Sequence, residues 1–218
     1  TLLNAIASVY RVQENFDQAF SHYYESIGIL AESQDSIRLS SVLLNTGDLH
    51  LKQKQYDSAL YYFRKSITIQ EKLRYQLGIA YNFGNIGLVY AAQNKNDSAE
   101  YYINEATEIL EELGDRYPIA VYQTYMADIY KDRGDSEMAL KYAHNSLQIA
   151  KDEGLKEQIR DASLKLSELY YSEGDYRKAY DYQYKYLAYR DSINNEDVIR
   201  KMADLRTEYE ISKKHIEV

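Results

Sequence analysis

The chain has 218 residues and a formal net charge of −8, from 26 Lys plus Arg against 34 Asp plus Glu. It contains no basic run, which argues against nucleic-acid binding through phosphate neutralisation. It contains no cysteine, which excludes disulfides and cysteine metal sites and suits an oxidising compartment as readily as the cytosol.

One proline and nine glycines leave an all-helical chain easy to accommodate, and no apolar run approaches the ~20 residues that span a bilayer. Tyrosine is abundant, with 25 Tyr against 4 Phe and no Trp. A tyrosine buries its ring while its hydroxyl reaches water or a polar partner, which suits a thin structure with few fully enclosed positions.

The chain is periodic. Ala19, Ala59, Ala99, Ala139 and Ala179 are 40 residues apart, as are Tyr10, His50, Tyr90, Tyr130 and Tyr170. The small residues Ala7, Gly47, Gly87, Ala127 and Ser167 keep the same spacing. A fixed period of this size marks a stacked repeat array. Each period divides into two helices of about 16 residues, roughly 24 Å long, joined by short turns.

In chain order, the first repeat covers about 1–35. Its turn at Glu14 to Phe16 is followed by Asp17 as the expected N-cap. The second covers about 36–75, with Asp57 in the same role. In the third, about 76–115, Asp97 and Glu100 have the spacing of a capping box. The fourth, about 116–155, places Pro118 in the first turn of a helix, where proline is tolerated. The fifth covers 156–192. Gly134 and Gly174 mark turns within repeats, and Gly114 and Gly154 fall where second helices end. Asp191 to Asn195 then interrupts the pattern. A separate helix is expected over 193–218, with Val198, Met202, Leu205, Tyr209 and Ile216 on one face. Its first half should cap the open end of the array, and its charged second half reads as a linker and a route to dimerisation. Thr1 already lies within a helical pattern and the last residues are still helical in pattern, so the sequence reads as a segment of a longer protein.

A small residue, an aromatic three later, a turn, a small residue and an aromatic four later resembles the tetratricopeptide repeat (TPR). The match is carried by Gly87, Tyr90, Ala99, Ile103 and Ala106 in the third repeat, and by Gly47, His50, Ala59, Phe63 and Ser66 in the second. It extends over about 1–190. The period departs from the commoner 34, and the usual Trp position holds Leu3, Leu43, Phe83, Gln123 and Ser163. The resemblance implies an all-α, right-handed solenoid of five helix-turn-helix repeats with a terminal helix. It also implies a concave groove, lined by first helices, that takes a protein or peptide.

Carried over position by position, the groove residues are Asn45, Asp48 and Lys52, then Tyr81, Asn85 and Leu88, then Tyr125, Asp128 and Lys131, and in the fifth repeat Lys165, Glu168 and Tyr171. Asn45 and Asn85 form a two-rung amide ladder of the kind that grips peptide backbone in relatives. Residues 190–196 (RDSINNE) and 205–214 (LRTEYEISKK) are similar to Gram-negative bacterial regulators. In those, a TPR sensor in the periplasm leads through a coiled coil to a membrane helix and an output domain. That likeness implies a periplasmic location; a static cytoplasmic scaffold is the alternative. The Asp-Ser-Ala/Ile triplets at Asp35, Asp57, Asp97 and Asp191 look like an O-glycosylation motif of some periplasmic proteins.

No catalytic constellation is present. The histidines His22, His50, His144 and His215 belong to no HExxH signature, and His50 occupies a repeat aromatic position. The expectation is a binding module with neither enzymatic activity nor cofactor.

Overall fold

The structure, a computed structural model, describes residues 2–216, with side chains for 2–196 and 200. All regular structure among them is helical. The order is α1 (Leu2–Val12), α2 (Phe16–Glu32), α3 (Ser36–Lys52), α4 (Tyr56–Lys72), α5 (Gln76–Ala92), α6 (Asn96–Leu113), α7 (Arg116–Asp132), α8 (Ser136–Asp152), α9 (Lys156–Ser172) and α10 (Tyr176–Ile216). Consecutive helices pair into five hairpins, α1–α2 to α9–α10, and each hairpin packs on the next.

The unit is shorter than the repeat. A residue in the left-handed region occurs every 20 residues, at Glu14, Gln34, Lys54, Arg74, Asn94, Gly114, Gly134, Gly154 and Gly174. The following amide closes back across the turn, as in Gln55 N–H to His50 O at 2.9 Å and Asp135 N–H to Tyr130 O at 2.9 Å. That bond satisfies a carbonyl the helix end would otherwise leave bare. Turns within and between hairpins thus share one geometry. The 40-residue period arises because odd and even helices bury different faces.

The small residues lie where backbones approach. Ala7, Ala19, Ala59, Ala99, Ala127 and Ala139 are fully buried. A Cβ on Gly47 would lie 2.6 Å from the Phe63 ring, and one on Gly87 would lie 2.7 Å from Ile103 Cγ1. Within hairpins, buried serines tie the second helix to the first. Ser66 Oγ donates to Ser40 O at 2.8 Å, and Ser146 Oγ donates to Ala120 O at 2.7 Å. First helices also approach one another, α3 to α5, α5 to α7 and α7 to α9, and second helices make no comparable approach among the described residues. The ribbon therefore bends with its first helices on the inner wall.

Two expectations are corrected. Asp17, Asp57 and Asp97 are not N-caps: the caps are Asn15, Gln55 and Lys95, and the aspartates sit in the first turn. There a carboxylate still favours the helix dipole. Asp97 and Glu100 do not form a capping box but clamp Arg133, at 2.7 and 2.6 Å. Asp35 and Asp135 do cap their helices.

The second correction concerns the C-terminus. Asp191 to Asn195 does not interrupt the chain, because α10 runs unbroken through it to Ile216. That stretch holds neither Gly nor Pro, and Asp, Ser and Asn each cost a helix interior only tenths of a kcal/mol. Near the start of its partner α9, Glu196 of α10 reaches back to Lys156. The capping role expected of Val198, Met202, Leu205, Tyr209 and Ile216 lies outside the described side chains.

Candidate functional site

The inner wall brings the expected groove residues onto one surface, and most of them are already engaged. The Asn45 Nδ2 amide donates to Asn4 Oδ1 at 3.1 Å, so Asn45 pairs backwards with the first hairpin rather than standing as a rung with Asn85. Asn85 and Leu88 are half-buried on α5. Asp48 holds Arg11 at 2.7 Å. Tyr81 donates its hydroxyl to Asp115 Oδ2 at 2.9 Å, and burial together with that carboxylate raises its pKa. Lys52 and Lys131 are exposed.

Further along, Lys165 Nζ lies 2.6 Å from Asp128 and 3.1 Å from Glu168. Burial opposes its charge, but the two carboxylates outweigh that and raise its pKa. Tyr125 stands at the centre of this region. Burial raises its pKa first, then the charges of Asp128 and Asp161, with Lys165 opposing and Asp48 adding. The wall is therefore a mosaic of paired charges around tyrosines.

It holds a recess of about 250 Å³ at the joint of the second and third hairpins. Ser41, Leu44 and Asn45 line it from α3, Leu77, Gly78 and Tyr81 from α5, and Gln70 and Tyr75 from the α4 end. Of the residues expected from sequence it unites Asn45 and Tyr81, and Asn85 is not part of it. Behind it sits a buried amide cluster. Asn82 Nδ2 lies 2.7 Å from Gln70 Oε1, 3.0 Å from Ser66 Oγ and 2.9 Å from Gly78 O. The Gln70 amide occupies the space of an absent Cβ at Gly78, which would lie 2.4 Å from Gln70 Nε2. Both polar residues break the repeat pattern. Gln70 stands where Leu30, Leu110, Ala150 and Arg190 are, and Asn82 where Leu2, Val42, Tyr122 and Ala162 are. That signal is carried by comparing the repeats position by position, not by the groove positions the resemblance implies.

A second face carries stacked rings. Tyr10–His22, Tyr90–Tyr102, Tyr130–Tyr142 and Tyr170–Tyr182 stack at 5.2–5.7 Å. His50 stacks on Tyr62 at 5.1 Å. Its Nδ1–H donates to Gln55 Oε1 at 2.6 Å, which leaves Nε2 to accept from the Tyr24 hydroxyl at 3.1 Å. Among the described residues no group of three His, Cys, Asp or Glu is placed to hold a metal ion. Nor is any helix among them long and apolar enough to cross a membrane.

With this geometry in hand, comparison with known proteins is informative about the fold. Models of the tetratricopeptide repeat match residues 1–72 and 126–157, and no curated protein matches the chain. Among solved structures, the chain is similar to BtubC (BKLC) from P. vanneervenii, with 20% identity, a TM-score of 0.72, and 88% of this chain and 80% of that one covered. It is similar to a Rap protein complexed with Competence and Sporulation Factor, at 18% identity and a TM-score of 0.80, with 91% and 56% covered. It is also similar to a Signal Transduction ATPase with Numerous Domains (STAND) from Pyrococcus horikoshii that has a tetratricopeptide repeat sensor. There the identity is 20%, the TM-score 0.73 and the coverage 89% and 30%. The chain thus spans about half of the Rap protein and under a third of the STAND protein. It carries tetratricopeptide repeats, and ten helices make five of them.

Proposed function

We propose that this chain is a protein- or peptide-binding module whose ligand lies along the inner wall, anchored by one side chain in the recess between the second and third hairpins. The observation that carries this reading is the recess itself. It is a small cavity of mixed character, in which Asn45, Gln70 and two tyrosines offer hydrogen bonds beside Leu44 and Leu77. A concave site with an apolar lining and a few placed polar groups is the usual form of a recognition pocket. Backbone groups of an extended ligand would find donors and acceptors in the amides of Asn45 and Asn85.

The module belongs, on this proposal, to a larger regulator. The Rap protein in complex with Competence and Sporulation Factor and the STAND protein with its repeat sensor support that setting by analogy of fold. The sequence likeness at 190–196 and 205–214 further suggests a membrane-anchored parent with this region in the periplasm. Pairing through the far part of α10 would couple two such modules.

A random peptide library displayed on phage and selected on residues 1–218 provides the test. A selected peptide should lose about tenfold in affinity on Asn45→Ala with Asn85→Ala, the cost of about one net hydrogen bond. Tyr61→Ala, on the second helix of its hairpin, should leave affinity unchanged. Equal affinity for the wild-type and Asn45/Asn85 proteins would remove the inner wall from the mechanism.

A further inference from the structure

The joint between the second and third hairpins departs from the other three. At the equivalent places the first joint sets Leu30 and Val42 in one apolar cluster. The third and fourth joints use Leu110 with Tyr122 and Ala150 with Ala162. Here Gln70 and Asn82 replace them, 2% and 0% exposed. Position 78 is a glycine where the other repeats have Arg38, Pro118, Gln158 and Val198, and the Gln70 amide fills the room this leaves. Stacking needs none of these changes. The pair even leaves Asn82 Oδ1 buried without a partner, a cost that apolar residues of the same shape avoid.

Backbone carbonyls, which only accept, fix the polarity of this network. Ser66 gives its hydrogen to Ser40 O, so its Oγ accepts from Asn82 at 3.0 Å. Asn82 also turns Nδ2 to Gly78 O at 2.9 Å. What it presents to Gln70 at 2.7 Å is therefore N–H, and Gln70 answers with Oε1. That leaves Gln70 Nε2, on a side chain that lines the recess, with no acceptor among the described residues. The remaining polar lining is oriented the opposite way. The Tyr81 hydroxyl gives its hydrogen to Asp115 and Asn45 gives an N–H to Asn4, so the Tyr81 oxygen and Asn45 Oδ1 remain as acceptors. Leu44 and Leu77 supply the apolar part, and no lining residue is charged.

We propose that the recess is a subsite for a carboxamide side chain, a glutamine of the ligand peptide, whose carbonyl accepts from Gln70 Nε2 and whose amino group donates to Asn45 Oδ1 and the Tyr81 oxygen. This rests on the reading of the inner wall as a peptide site. At about 250 Å³ the recess is smaller than the ~300–1,000 Å³ of a drug-sized pocket, so it holds one side chain. Each competing side chain meets a mismatch. A lysine or arginine carries donors only and would meet another donor at Gln70. A glutamate would bury its charge with no cation in the lining and with Asp115 just behind Tyr81. A leucine leaves Gln70 Nε2 unanswered. An asparagine has one methylene fewer to lay on Leu44 and Leu77. Asn82 and Gly78 act through Gln70, as positioning residues.

Peptides selected from a random phage library on residues 1–218, then synthesised and titrated by calorimetry, test this. The selected sequences should share a glutamine, and changing it to glutamate or leucine in the peptide should weaken binding about 10- to 100-fold. Gln70→Leu with Asn82→Val gives the second joint the residues of the first. That protein should melt at or above the wild-type temperature, because both amides are gone together. It should also lose the preference for the glutamine peptide over the leucine one. On the wild-type protein, the Gln70 side-chain N–H signals in NMR spectra should shift as the glutamine peptide saturates it. A selection with no shared glutamine overturns the proposal, since the recess is then solvated or takes another side chain. So does a folded double variant that keeps the glutamine preference, and so do unmoved Gln70 signals. These failures leave the inner-wall reading standing, because that reading falls only if the selected peptides bind the Asn45/Asn85 variant unchanged.

Discussion

Individual residues show where this chain tolerates strain. The turn every 20 residues demands a left-handed residue; the last four turns supply glycine, and the first five use Glu14, Gln34, Lys54, Arg74 and Asn94 instead. A side chain there costs about 1–2 kcal/mol against glycine, through the Cβ–carbonyl clash. Nothing lies within 4 Å of where a Cβ on Gly134 would stand, so the backbone alone decides the outcome. Gly134→Ala should lower unfolding stability by about 1 kcal/mol, and Lys54→Gly should raise it by up to about the same amount, both read by urea denaturation. Tyrosines show the opposite economy, since their hydroxyls do specific work. Tyr130 donates to Glu100 at 2.6 Å, and that bond, more than burial, pushes its pKa up to about 12.

Between helices, register is set by which residue leaves room for which. Gly84 on α5 faces Tyr122 on α7, and a Cβ there would fall 1.9 Å from the Tyr122 hydroxyl oxygen and 2.0 Å from Cζ. The ring is buried. Burial, then Tyr81 and Asp115, hold its pKa well above the usual phenol range. Gly84→Ala should therefore overpack the joint and cost about 1–3 kcal/mol by thermal or chemical unfolding. In a Tyr122→Ala background the same change should cost far less, and that non-additivity would identify the contact as the cause. Additive losses would place the strain elsewhere in α5. Gln70 and Asn82 make a joint of another kind, the Asn82 amide donating to Gln70 where the first, third and fourth repeats place Leu30, Leu110 and Ala150. Their departure from the repeat was visible residue by residue. That they meet was not, because the two positions belong to different hairpins.

At the scale of the whole array, stability is close to a sum of hairpins and joints, so a change at two joints should register in the melting of the molecule. His50 joins the first two hairpins, and His144 joins the last two. Burial holds both imidazoles below the ordinary 6.5, and for His144 the neighbouring Lys151 and Lys178 add to it. The unfolded chain then takes up protons before the folded one. Stability from these groups is whole above about pH 6.5 and is lost as pH falls from there through the lower folded values. The thermal midpoint should drop between pH 7 and pH 5, and His50→Tyr with His144→Tyr should flatten that slope. An identical slope in the variant would assign the acid sensitivity to carboxylates.

Spacing alone was enough to determine the helical hairpins, their number and the small residues at the crossings. Each of these follows from local periodicity repeated at constant register, and no long-range information is needed to read a period. The tertiary structure decided what periodicity does not encode. Asn45 turns to Asn4 instead of standing as a rung with Asn85, Asp48 is spent on Arg11, and Asp97 with Glu100 clamps Arg133 rather than capping a helix. In each case a side chain has several partners within reach of its rotamers, and only the curvature of the stack selects among them. The unbroken α10 has the same origin, because a polar stretch without glycine or proline can end a helix or continue it, and the surroundings choose.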